Sequence, residues 1–393
     1  MKKRFVYLDY AATTPVDARV IKAMMPYFNL HFANTMSLHG SGMKAAEGVE
    51  KARDIIAKFI KAENEEIVFT GSATESNNLA LKGLAEANPE KKKIIISSIE
   101  HDCVRNSAIW LRGKGYKLVM LPVDKKGFID FEVLSKEVDE TTLLVSVIHG
   151  NNEVGTIQNI KKIGALCRER GIYFHSDASQ SFGKIPIEVK DMKIDLLTAS
   201  SHKIYGPKGA AILYVRDGVK INPIMHGGGH EGGLRSATVN VAAIVGMGKA
   251  VEIMEKSKAE NLKIKRLRDK LIKGVLGSIN DCWLNGDEKE RLSNNANFSF
   301  ERVEGEALLM ELSNRGIMCS TGSACSSSSL EPSHVLLALG LSAPEAHGSL
   351  RFSLGRGTSE ADINYVLKML PIVVKKMRKM SPFKPFDKTQ GEK

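Results

Sequence analysis

The sequence predicts an α/β protein with a large domain, built on a mostly parallel sheet flanked by helices, and a smaller α+β domain. Three observations carry this. From residue 65 to about 215, short β-rich apolar runs alternate with helix-length stretches, as strand–helix–strand units do. Several of those runs are continuously apolar, which is expected of strands buried on both faces. The 393 residues exceed one ordinary domain of about 150 and can bury a large core without disulfide or metal staples.

The strand candidates cover residues 67–69, 94–96, 118–121, 143–148, 172–174, 196–197 and 212–215, and the stretches 74–87, 103–113 and 160–171 have helical length. The charged stretch 240–276 sets Ile264, Leu267, Leu271 and Val275 at helical spacing and reads as one helix leaving the large domain. A strand candidate at 296–300 and a helix candidate at 305–315 suggest the α+β domain. The expected boundaries are 15–261 for the large domain and 262–393, together with 1–14, for the small one. The closing SPFKPFDKTQGEK has two prolines and no periodicity, the marks of a frayed tail.

Composition is that of a soluble globular chain, 43% hydrophobic and 26% charged, and no apolar run approaches the roughly 18 residues of a membrane helix. The start, MKKRFVYLDY, reaches Asp9 before an apolar segment forms, which argues against a secretory signal. Five cysteines without a CxxC fit a reducing compartment, so the expected location is cytoplasmic, with no disulfide framework and no metal site. The net charge of +11 sits in two windows, 249–273 at +5 and 368–393 at +6. The first has no aromatic residue and neither has a recognition motif, so sequence-specific nucleic-acid binding is not expected.

On an open parallel sheet, functional side chains collect beyond the carboxyl ends of the strands. Asn152, Asp177 and the run Ser200–Lys203 all follow strand candidates. At IVFTGSATESNNLAL, Ser72 and Glu75 have capping-box spacing at a helix start, a ready phosphate cradle. Each has a bland reading alone: Lys203 a solvated lysine, Asp177 a helix cap, His101 a core histidine. Together they assemble a phosphate site, an acid, an amine and an imidazole, a set suited to pyridoxal 5′-phosphate.

The sequence resembles the cysteine desulfurases of the NifS/IscS type, within class V of the fold-type I pyridoxal-phosphate enzymes. The resemblance rests on LDYAATTPVD (8–17), ATESNNLALKG (73–83), IEHDCV (99–104), HGNNEVGT (149–156), HSDASQSFGK (175–184), SSHKIYGPKG (200–209), MHGGGHEGGLRS (225–236), STGSACSSSSLEPSHVLLALGL (320–341) and RFSLGR (351–356), in order along almost the whole chain. It implies that Lys203 carries the cofactor, that His101 stacks on its ring and moves protons, and that Asp177 holds the ring nitrogen. Gln180 and Asn152 are implied near the ring oxygen or the substrate. The phosphate would be held by Ala73, Thr74, Ser200 and His202, with Thr238 reaching in from a second subunit of a homodimer. Arg351 would grip the carboxylate of L-cysteine, with Asn152 and Asn34 beside it. The chain departs from the family pattern at Gly71-Ser72, Thr35, Ser201 and Ala237, none of them a reacting group.

Cys325 is implied as the nucleophile that takes the substrate sulfur as a persulfide and passes it to an iron–sulfur scaffold protein or a tRNA-thiolation acceptor. Its surroundings, residues 320–329, are all Ser, Thr, Gly, Ala or Cys, which gives a core nothing to hold. Cys103, Cys167 and Cys282 read instead as small buried hydrophobes, and Cys319 as a buried strand cysteine. The alternatives are a selenocysteine lyase or another class V enzyme, which Lys203 does not separate from a desulfurase, and a non-catalytic assembly scaffold.

Overall fold

The computed structural model describes residues 4–321 and 331–381. A two-residue strand, β1 (Val6–Tyr7), opens the described chain. There follow β2 (Ile67–Thr70), β3 (Lys93–Ser97), β4 (Lys117–Leu121), β5 (Thr142–Ser146), β6 (Tyr173–Asp177), β7 (Leu196–Ser200) and β8 (Ala211–Val215). These seven form one sheet in the order β2-β8-β7-β6-β5-β3-β4. Only β8 runs against its neighbours; the remaining pairs are parallel. The sheet is therefore mostly parallel, with helices on its faces, and each continuously apolar run of the sequence is one of its strands. Five of the strands, including β3, β5 and β7, are buried at every residue. At the edge, β4 exposes Lys117 and Met120, because an edge strand lacks a neighbour on one side.

The remaining strands are β9 (Cys282–Asn285), β10 (Asn295–Phe300), β11 (Ile317–Met318) and β12 (Ser349–Ser353). They make an antiparallel sheet β12-β10-β9, while β11 pairs in parallel with β1 and so ties the N-terminal segment to the C-terminal part of the chain. Strand β10, NANFSF, alternates. Ala296, Phe298 and Phe300 enter an apolar core with Leu271, Leu308, Phe352 and Val366, while Asn295, Asn297 and Ser299 face the other way and are buried too.

The stretch 240–276, expected as one helix, is two. The helix Val241–Glu255 is buried along most of its length against the helix Gly40–Ile60, and Lys258–Ser278 lays Ile264, Leu267, Leu271 and Val275 on the C-terminal core. The two helices serve different cores, so the chain has to turn between them. At the turn Ser257 Oγ donates to the Ile253 carbonyl (2.7 Å), satisfying a helix end. Gly248 lets the first pair close up: a Cβ there would lie 2.8 Å from Cα of Ala52. Arg268, inside the basic window 249–273, is not a solvated charge. It is buried and donates to the carbonyls of Arg291 (3.3 Å) and Leu292 (2.8 Å).

Phe298 is wholly buried, with the rings of Phe300 and Phe352 at 6.2 and 6.1 Å. Phe298→Ala is expected to lower stability by about 3–5 kcal/mol, measured by urea denaturation.

Candidate active site

The strand ends and the C-terminal sheet enclose a cavity of about 780 Å³. Each functional side chain arrives by its own route. Asp177 ends β6 and Ser200 ends β7; His101 follows β3 by four residues and caps the helix Asp102–Arg112. Asn152 lies in the turn after β5, and Ala73 and Thr74 open the helical run after β2. Lys203 follows β7 in a short 3-10 turn, and Arg351 projects from β12 across the seam. Of the residues the sequence singled out, these eight line the cavity with Gln180 and His202. Asn34 and Thr238 do not line it: both are exposed, and Asn34 Oδ1 accepts from the Met36 N–H (2.9 Å). Cys325 lies outside the described residues.

Lys203 Nζ donates to the main-chain carbonyls of Ala11 (2.7 Å) and Ala12 (2.8 Å), and Gln180 Nε2 also donates to Ala11 (2.8 Å). The N-terminal segment thus positions the amine. Asp177 accepts from Asn77 Nδ2 at Oδ2 (2.7 Å) and from the Ser179 N–H at Oδ1 (2.8 Å). Arg351 donates to the Asn152 carbonyl (3.0 Å) and pairs with Asp9 (3.0 Å). At the helix start, Ser72 Oγ accepts from the Glu75 N–H (3.1 Å), as the capping-box spacing predicts. The Glu75 carboxylate does not return to Ser72. It accepts from the Gly71 N–H (2.8 Å) and pairs with Arg235 (2.7 Å), which draws it off the helix end and offsets its charge beside the cradle.

Two buried carboxyl groups that the sequence reading did not single out also line the cavity. Burial pushes Glu100 up to about 8, against hydrogen bonds from Ser97 Oγ and the Ile148 N–H. Burial pushes Glu153 up to about 7, against the Ser333 hydroxyl and the Arg351 charge. His202 is driven down to about 4 by burial and by the charges of Lys203 and Lys208, so it is a neutral ring at neutral pH. Lys184, whose ammonium donates to the Gln180 carbonyl (2.7 Å), is lowered to about 7 by burial and by Lys203. Among the described residues, no cluster of three or more His, Cys, Asp or Glu side chains is arranged to hold a metal ion.

Cys167 and Cys319 are buried as expected, though Cys319 lies just past β11 rather than in it. Cys282 is only partly buried. Cys103 is not an inert filler, because its sulfur lies 3.0 Å from His101 Nδ1 in the cavity wall.

The residues fit pyridoxal 5′-phosphate. Three buried polar atoms at the cavity, Asn152 Oδ1, Glu100 Oε2 and Arg351 Nε, have no hydrogen-bond partner among the described residues, an arrangement that asks for a polar occupant. An amine, a carboxylate and a helix start stand around the same space, the donor set a phosphorylated pyridine aldehyde requires.

Glu100 supplies a test of this electrostatic picture. A carboxyl with a folded pKa above its unfolded one retains its proton longer when folded. Its favourable contribution is complete below the unfolded pKa and is lost as pH rises through the folded one. Relative to wild type, Glu100→Gln should therefore gain stability as pH rises from about 5 to 8, by up to about 1.4 kcal/mol per pH unit, in urea denaturation at stepped pH. A pH-independent difference contradicts the raised pKa.

A family profile described as aminotransferase class-V matches residues 6–366. A protein of Clostridium botulinum named cysteine desulfurase IscS is 48% identical, over 99% of both chains. Among solved structures, a NifS-like protein superposes with a TM-score of 0.89 at 38% identity, covering 95% of this chain and all of the other. A structure titled SspA in complex with cysteine gives 0.81 at 41%, over 89% and 98%. The match runs through every strand that positions the cavity, and on this evidence the chain belongs to the class-V aminotransferase family.

Proposed function

We propose that the chain is a pyridoxal-phosphate-dependent cysteine desulfurase. The observation that carries this is the meeting of two sets of residues at one cavity. Lys203, Asp177, His101 and Arg351 line it, and so do Glu331–His334, which resume the described chain immediately after the segment that holds Cys325. On the near side of that segment, Ser320 exchanges main-chain hydrogen bonds with Arg351 (2.7 and 3.1 Å). The relatives named cysteine desulfurase support the same activity.

When bound, the cofactor supplies an electron sink that acidifies the substrate Cα–H. Lys203 is the group that holds it, Asp177 the acceptor at the ring nitrogen, and Ala73, Thr74, Ser200 and His202 the phosphate side. Arg351 binds the cysteine carboxylate with a planar fork, and its Asp9 partner keeps the guanidinium oriented before substrate arrives. His101 moves protons at the reacting carbon. The Cys325 thiol takes the substrate sulfur: a C–S bond breaks, an S–S bond forms, and the carbon receives a proton and the electron pair. Cysteine and thiol become alanine and a persulfide, with no outside oxidant.

The active form is a homodimer. A strip along residues 25–43 leaves Phe28, Phe32 and Leu38 62%, 72% and 95% exposed, an apolar surface a second copy would cover. Thr238 is exposed away from its own chain's cavity, as a residue serving the other subunit would be. The persulfide passes to an iron–sulfur scaffold or a tRNA-thiolation acceptor in the cytoplasm. Among the described residues, no helix is long and apolar enough to cross a membrane.

After incubation with L-cysteine, mass spectrometry should find one added sulfur atom on the Cys325 peptide. Cys325→Ala should retain the cofactor absorbance and lose alanine production; full activity without the thiol contradicts the scheme. Phe32→Glu combined with Leu38→Glu should convert the dimer to a monomer in sedimentation velocity and weaken cofactor retention.

A further inference from the structure

The cavity wall contains a thiol that this reaction does not use. Cys103 lies in the first turn of the helix Asp102–Arg112, where the sequence suggests only an apolar filler. Two of its groups face Nδ1 of His101: the main-chain N–H at 3.2 Å and the sulfur at 3.0 Å. A ring nitrogen that accepts from an amide N–H bears no proton, so the thiol must donate to it as well. On its other side, the sulfur receives Asn77 Nδ2 at 3.0 Å. An amide NH₂ only donates, so the sulfur accepts on that side and its own hydrogen is left for Nδ1. The second hydrogen of Asn77 Nδ2 goes to Asp177 Oδ2 at 2.7 Å. Asn77 is wholly buried, so neither of these bonds competes with water.

We propose that Cys103 and Asn77 are positioning residues that link the group assigned to the cofactor nitrogen, Asp177, to the group assigned to its face, His101. Through them His101 is held as a neutral imidazole with its proton on Nε2. The atom that exchanges protons at the reacting carbon is then Nε2, while Nδ1 is committed to the wall. The assignment of Nε2 to catalysis rests on the desulfurase reading above; the hydrogen-bond pattern does not.

The test labels histidine with ¹⁵N and reads the His101 ring nitrogens by NMR, in the cofactor-free and the cofactor-loaded protein, with His101→Gln identifying the signals. Wild type should show one protonated and one bare nitrogen, assigned to Nε2 and Nδ1. In Cys103→Ala, Nδ1 keeps only the longer main-chain donor at 3.2 Å, so the bare form is held less firmly and a minor Nδ1-protonated population should become visible in both states. With L-cysteine, kcat should fall about fivefold or more, the loss of one buried hydrogen bond, with KM within about twofold. Cys103→Ser, which keeps a donor and an acceptor, should restore the wild-type tautomer and most of kcat. A wild-type tautomer or wild-type kcat in the alanine variant overturns the proposal, as does a serine variant no better than alanine. Because the tautomer is read without cofactor too, a failed desulfurase assignment would leave that reading intact, and the two failures are distinguishable.

Discussion

The cavity depends on how one turn is held. Asn152 to Gly155 present four consecutive main-chain carbonyls, and each is received from the C-terminal part of the chain. Arg351 donates to Asn152 (3.0 Å), Asn295 and Asn297 to Glu153 (3.0 and 3.2 Å), Arg291 to Val154 (2.6 Å), and the Leu292 N–H to Gly155 (2.8 Å). Buried carbonyls left without donors would be costly, so the turn and the antiparallel sheet are fixed to each other. That seam sets the distance between the strand ends, which carry Lys203, Asp177 and His101, and β12, which carries Arg351. It also accounts for the two-faced burial of β10, with one face in the apolar core and the other on the turn.

The seam concentrates charge where water is scarce, and the protein manages each case differently. Arg351 has a carboxylate partner in Asp9. Arg291 is buried with main-chain carbonyls as acceptors, and burial together with Arg268 lowers it to about 9. Glu100 and Glu153 are pushed toward their neutral forms. A buried acid that keeps its proton avoids most of the desolvation cost and can still hydrogen-bond, which is how two carboxyl groups stand beside Arg351 and Lys203 without cancelling them.

Much of this was legible in the sequence, for physical reasons that differ by element. Strands buried on both faces write themselves as continuous apolar runs, so most strands of the large sheet could be read from those runs, and the edge strand β4 from its place in the strand–helix alternation. Residues at strand ends follow from position in the same way, which is why Asp177, Ser200 and Asn152 could be anticipated. The break at Lys256–Ser257 was not legible, because the helical periodicity continues on either side and only the change of core partner reveals the turn. Glu100 and Glu153 were hidden since a glutamate reads as surface until its burial is known. Asp9 and Arg351 lie 342 positions apart and meet because β1 pairs with β11 and residues 8–11 bond to Ser353 of β12. Cys103 is buried, as its apolar setting suggests, but nothing in the sequence marks the imidazole beside its sulfur.

The cysteines show how solvation divides the labour among identical side chains. A thiol becomes a nucleophile only as thiolate, and burial without a cation opposes that form. Burial pushes Cys167 and Cys282 up to about 12 and Cys319 higher still. At neutral pH burial holds these three as thiols. Cys103 differs because its sulfur lies between a donor, Asn77, and an acceptor, His101. Cys325, by contrast, lies in a run made up only of small residues, which offers no apolar core to bury a thiol.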